Sequence, residues 1–101
     1  MRIIVFFDLP TETSTDRKNY RRFRTNLIKS GFMMIQESVY AKLSLNQSQT
    51  RQIIDEVRSY KPRKGLVQIL TVTEKQFSKM EMLCGESNTD IVNSDERLIV
   101  L

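Results

Sequence analysis

Histidine is absent from all 101 residues. Its absence removes the usual general base at neutral pH and the commonest nitrogen ligand for metals. Serine–histidine triads and histidine-containing zinc sites are therefore excluded. Cysteine occurs once, at Cys84, so no intrachain disulfide can form and a reducing cytoplasm is the expected setting. No apolar run exceeds strand length, and the N-terminus lacks the charged, apolar and small-residue order of a signal peptide. The expectation is a cytoplasmic chain with no membrane partner. Any chemistry must rest on carboxylates, a metal, lysine, tyrosine or the single thiol.

What is present suits one folded domain, with 40% apolar and 28% charged residues, well away from the composition of disordered chains. The formal charge is +4 and the isoelectric point is about 9.5, a balance that favours polyanionic partners. Distribution matters more than the total. From Asp16 to Ser30 six cations, Arg17, Lys18, Arg21, Arg22, Arg24 and Lys29, face the single acid Asp16. Arg58, Lys61, Arg63 and Lys64 form a second, acid-free cluster, and acids gather late, at Glu81, Glu86, Asp90, Asp95 and Glu96.

Along the chain, RIIVFFD (Arg2 to Asp8) reads as a strand stopped by Leu9-Pro10, because proline holds the preceding residue extended. Ser14 or Thr15 is placed to cap a helix over about 15–30, which Gly31 ends. FMMIQESVYAKL (32–43) reads as extended, and Gln36-Glu37-Ser38 is either a bend in one strand or a tight turn between two. Asn46 or Ser48 caps a second helix with Ile53, Ile54, Val57 and Tyr60 on one face, ended by Pro62. LVQILTV (66–72) is a further strand. Thr73 to Gln76 has capping-box spacing, so a short helix follows with Phe77 and Met80 on its buried side, and Met80 to Cys84 reads as extended. Turn-rich residues then lead to a last apolar run, Leu98 to Leu101.

This order predicts an α+β fold, a ferredoxin-like βαββαβ sandwich over 1–79 with an extension over 80–101 that ends in a short strand. In strand one Ile3, Val5 and Phe7 alternate with Ile4 and Phe6, and in the later strand Val67 and Ile69 alternate with Leu66, Leu70 and Val72. Both faces are apolar, yet two helices cover only one. A second copy packed sheet against sheet is the expected cover; the C-terminal segment folding back is the alternative.

On a helical wheel Tyr20, Phe23 and Leu27 form a narrow apolar stripe, and Arg17, Lys18, Arg21, Arg22, Arg24 and Lys29 sweep the rest. Like charges at i,i+4 repel unless an anion meets them. Arginine forks match phosphate oxygens, so the helix is expected to hold a nucleic-acid backbone without reading sequence. Pairing of these arginines with acids elsewhere is the competing explanation.

Asp8 ends strand one before a proline loop. It reads either as a turn former bonded to the backbone of 9–11 or as a functional carboxylate. Two Asp8 side chains meeting across a dimer axis would suit a shared Mg2+, which takes carboxylate and water ligands and activates water for phosphodiester cleavage. Glu12 and Asp16 are alternative acids, while Tyr40 and Cys84 are expected in the core. A third possibility is a single-strand RNA-binding module, with Phe6 or Phe7 stacking on bases.

The segments VFFDLP, YRRFRTNLIKSGF, the Gln36 to Tyr40 element and LVQILTVTEKQF, in this order and spacing, resemble the CRISPR-associated protein family numbered two. DLP, KNYRRFR and the ending NSDERLIVL are similar to members from type II systems. The resemblance implies a ferredoxin-like homodimer that bridges two dimers of the CRISPR adaptation integrase and holds double-stranded DNA, the prespacer, during spacer acquisition. It also implies magnesium-dependent endonuclease activity on RNA or duplex DNA in many members. The family's metal aspartate falls on Asp8 and its basic helix on Arg17 to Arg24, with Arg22 the nearest match. Phe7 stands where many members carry tyrosine, so that hydroxyl is missing.

Overall fold

The computed structural model describes residues 1–85. In chain order these form β1 (Arg2–Asp8), α1 (Ser14–Lys29), β2 (Met33–Gln36), β3 (Val39–Leu43), α2 (Gln47–Ser59), β4 (Leu66–Val72) and α3 (Glu74–Ser78). The four strands make one antiparallel sheet in the order β2-β3-β1-β4. This is the expected βαββαβ arrangement, with the two apolar strands side by side at one edge. The expected C-terminal strand at 98–101 lies outside the described residues.

Local chemistry sets most of the limits. Thr13, not Ser14 or Thr15, caps α1: its hydroxyl accepts from the Asp16 amide, and the Asp16 carboxylate accepts from the Thr13 amide. The capping box satisfies two amides that have no partner inside the helix. At the other end Phe32 N–H donates to Leu27 and Gly31 N–H to Ile28, both at 3.0 Å, with Gly31 at φ +96°. This double bond is the pattern that closes a helix on a left-handed glycine, and it drops Phe32 into the core beside Leu27. Asn46 caps α2, and Thr73 with Gln76 completes the capping box expected for α3.

The ambiguous 32–43 stretch is two short strands joined at Glu37-Ser38. Ser38 adopts φ +68°, which costs a residue with a side chain about 1 kcal/mol. Its carbonyl repays part of that by accepting from Phe7 N–H at 3.0 Å, tying the turn to β1.

Ile3, Val5 and Phe7 point toward the helices and are buried with Phe23 and Leu27 of α1, Ile53 and Val57 of α2, and Phe32 and Tyr40. Each such apolar side chain contributes about 1.5–3 kcal/mol on leaving water. Phe7 lies at the centre, edge-on to Phe23 at 5.1 Å and stacked on Tyr40 at 5.7 Å. The opposite face carries Ile4, Phe6, Ala41, Met33, Leu66 and Leu70, placed side by side by the register. Phe6 is 36% exposed, Leu70 51% and Leu66 54%. Both faces of the sheet are thus apolar, as the alternation requires.

Two expectations after β4 fail: Met80 is exposed and not packed beneath α3, and Cys84 is exposed. Residues 80–83 carry no helix and pair with no described strand. With only five residues, α3 is too short to carry an apolar face through Met80. It is held by its first turn: Glu74 accepts two bonds from the Arg2 guanidinium, at 2.7 and 2.9 Å, and Arg2 lies 4.4 Å above the Phe77 ring.

Candidate nucleic-acid interface

The burial of Phe23 and Leu27 orients α1, since the face opposite that stripe must meet water. Arg17, Lys18, Arg21, Arg22 and Arg24 are all exposed. Among the described residues the only ion pairs are Arg2–Glu74 and Arg58–Asp55. No described acid forms an ion pair with an α1 cation, although Glu37 lines the cleft that Arg21 and Arg24 share.

The five are not equivalent. Arg17 turns back and donates to the carbonyls of Thr11 and Glu12, at 3.1 and 3.0 Å, so it braces the loop that enters the helix. Arg24 donates from Nε to the Tyr40 hydroxyl at 2.9 Å, which leaves its other guanidinium nitrogens outward. Arg21 and Arg24 line a cleft of about 370 Å³ with Tyr20 and Tyr40 on the β2–β3 side of the helix. Arg22 points to the α2 side and lines a cleft of about 530 Å³. Lys18 makes no hydrogen bond to a described residue, so it joins Arg21 and Arg22 as the cations with no described protein partner.

The second basic cluster divides. Arg58 pairs with Asp55 at 2.7 Å. Lys61, Arg63 and Lys64, carried by the turn that Pro62 forces after α2, line the same cleft as Arg22. Tyr60 stands on its wall and donates to the Ser30 hydroxyl at 3.0 Å. Burial raises the Tyr60 phenol above its ordinary value, and the bond to Ser30 works against the rise, so it adds no negative charge beside the cations at neutral pH. The acid-free run was visible in the sequence. Its meeting with Arg22, and the separation of Arg58, were not.

Asp8 is exposed, and β1 alternation puts it on the open face with Ile4 and Phe6, paired with Leu66. It lines a shallow cleft of about 160 Å³ with Phe6, Ser38 and Gln68. Its side chain makes no hydrogen bond to a described residue, which disfavours the turn-former reading. Within one chain the sheet therefore stands between Asp8 and the arginines of α1. Asp16 is spent on the helix cap, and Glu12 lends only its carbonyl, to Arg17.

Among the described residues no three histidine, cysteine, aspartate or glutamate side chains come together. The cleft beside Asp8 offers a hard cation one carboxylate, with the neutral oxygens of Ser38 and Gln68 as neighbours. Mg2+ is usually held by one or two carboxylates with water completing its shell, so the residues present would suit such an ion. The missing tyrosine hydroxyl has a structural counterpart: Phe7 is 5% exposed, inside the core and facing away from Asp8. Phe7 is likewise unable to stack on a base, which leaves only Phe6 for that role.

Residues 1–80 match the family described as CRISPR associated protein Cas2. The chain is 56% identical over 101 residues to the CRISPR-associated endoribonuclease Cas2 of Treponema denticola, covering 100% of both. It is 50% identical over 101 residues to the protein of that name from Streptococcus mutans serotype c strain UA159, covering 100% of this chain and 93% of that one. The crystal structure of Streptococcus pyogenes Cas2 at pH 6.5 shares the fold, with a TM-score of 0.62 over 83% of this chain and 100% of that chain at 20% identity.

Proposed function

This chain belongs to the Cas2 family of CRISPR-associated proteins, and on that premise we propose that it serves spacer acquisition as a sheet-to-sheet homodimer that holds a DNA duplex and bridges dimers of the adaptation integrase. One observation carries the reading: the apolar surface that no described helix covers and the cationic surface lie on opposite sides of the same sheet. Pairing two copies through Phe6, Leu66 and Leu70 removes the apolar face from water and turns both α1 helices outward. A duplex laid across the dimer then meets two rows of arginine, and its backbone supplies the anions those rows lack.

The test is prespacer insertion by the purified dimer with its integrase. Arg21→Glu with Arg22→Glu is expected to abolish insertion, whereas Asp8→Ala leaves it intact. Insertion lost in Asp8→Ala, with the dimer preserved, would overturn the scaffold reading.

A second reading has its own support, in the exposed Asp8 carboxylate on the face that a second copy would cover. Asp8 from each protomer would hold Mg2+, and the bound ion would supply an activated water for phosphodiester hydrolysis. Because the arginines of α1 lie behind the sheet from Asp8 in the same chain, the substrate strand would have to be oriented by groups on the Asp8 side, Gln68 and Ser38 among them. RNA is the natural first substrate to try, given the endoribonuclease name the relatives carry. Magnesium-dependent cleavage that disappears in Asp8→Ala supports this activity; cleavage surviving that change assigns it to another source.

A further inference from the structure

The cleft between α1 and the turn after α2 shares only Arg22 with the duplex-binding row just described. Four cations rim it, Arg22 from α1 and Lys61, Arg63 and Lys64 from the turn, with Asn19 and Tyr60 on its walls. The sole acid on its lining, Asp16, is occupied in the capping box with Thr13. No described acid pairs with any of the four cations. Concentrating four like charges around one concavity of about 530 Å³ is unfavourable unless an anion enters it.

We propose that this cleft is a second phosphate site, which grips the backbone of the same nucleic acid that lies along α1. The inference rests on the duplex-binding reading and extends it to Lys61, Arg63 and Lys64. Shape separates the two surfaces. The face of α1 is convex and meets a duplex from outside, whereas the cleft is a concavity of about 530 Å³ that a strand's phosphates can enter. Arg22 belongs to both, so the cationic surface is continuous and one strand can run from the helix into the cleft. Tyr60, held by Ser30 and uncharged at neutral pH, offers the sugar a neutral wall. Arginine at two of the four positions suits forked binding of phosphate oxygens.

Pro62 shapes the turn, and Gly65 closes it at φ +94° against Leu9 and the Asp8 carbonyl. The three cations of the turn are therefore presented from a braced segment, which lowers the ordering cost of binding.

The experiment measures duplex affinity against salt concentration for three full-length proteins: wild type, Lys61→Ala/Arg63→Ala/Lys64→Ala, and Lys18→Glu/Arg21→Glu. Removing three phosphate contacts should weaken binding by about tenfold or more near 0.1 M salt and flatten the log–log salt slope by about 2–3. A charge-keeping variant, Lys61→Arg/Lys64→Arg, should bind as wild type does. If the triple-alanine protein keeps wild-type affinity and slope while the α1 variant loses both, the cleft is only a solvated surface and this inference fails alone. If the α1 variant also binds normally, the duplex reading itself fails. Polyglutamate of matched charge bound as tightly as the duplex, and lost with the same triple substitution, would overturn the assignment to nucleic acid. The substituted side chains are exposed, and an unchanged melting temperature excludes misfolding as the cause of any loss.

Discussion

A Cβ added to Gly65 would stand 2.8 Å from the carbonyl oxygen of Asp8 and 2.7 Å from Leu9 Cδ2. The backbone of the turn before β4 is thus pressed against the end of β1, at the residue whose carboxylate faces the open side. Gly65 also sits at φ +94°, where any other residue is strained.

Gly65→Ala is therefore expected to destabilise the fold by about 1–3 kcal/mol, since backbone and side chain must both give way. Denaturant unfolding reads that loss directly. Any Asp8-dependent activity should fall further than the stability change alone explains, because Asp8 would move.

The cations of α1 should separate into two kinds. Arg17→Ala should lower the melting temperature, because two carbonyls before the helix lose their donor, at roughly 1 kcal/mol. Its effect on the salt slope of duplex binding should be small. Arg22→Ala should do the reverse, leaving stability near wild type and flattening the slope by about 1. Equal effects of the two substitutions on the slope would show that Arg17 gives up its loop contacts to bind the duplex.

Phe6→Asp places a charge on the open apolar face without touching the core. Sedimentation should show a monomer that keeps its circular dichroism spectrum, since a lone buried carboxylate strongly disfavours the packed interface. Duplex binding should weaken together with the dimer. A stable Phe6→Asp dimer would mean that the copies associate through some other surface.

Acid should loosen α3 before it unfolds the sheet. The hydrogen bond from Arg2 holds the Glu74 carboxyl below its ordinary value. A group whose folded pKa is lowered stabilises the fold above its unfolded pKa, and that contribution fades as pH falls through the folded value. Amide exchange in α3 should accordingly rise below the ordinary carboxylate range. Glu74→Gln should remove the pH dependence, leaving α3 loosely held at every pH.

The pattern of elements was legible in the sequence because helices and strands are set largely by neighbours. Alternation in 2–8 and 66–72, the stripe Tyr20–Phe23–Leu27, Gly31 and the Thr73–Gln76 spacing each rest on contacts within a few residues, and each appears as expected. The misjudged points also have local reasons. Thr13 won the cap because Asp16 lies three residues after it and completes the reciprocal pair. Met80 and Cys84 looked apolar enough to bury, but α3 stops at Ser78 and brings nothing to cover them.

The sequence by itself determined a βαββαβ sheet with two apolar faces, one basic helix, a carboxylate ending strand one and an acid-free run after the second helix. Tertiary structure alone decided their mutual arrangement. Asp8 and the arginines of α1 lie on opposite sides of the sheet because strand parity and helix packing act independently. Arg22 meets Lys61, Arg63 and Lys64 because α1 and the end of α2 share one core, around Phe23 and Tyr60. Juxtapositions of that kind come from packing between residues some forty positions apart, and no local pattern encodes them.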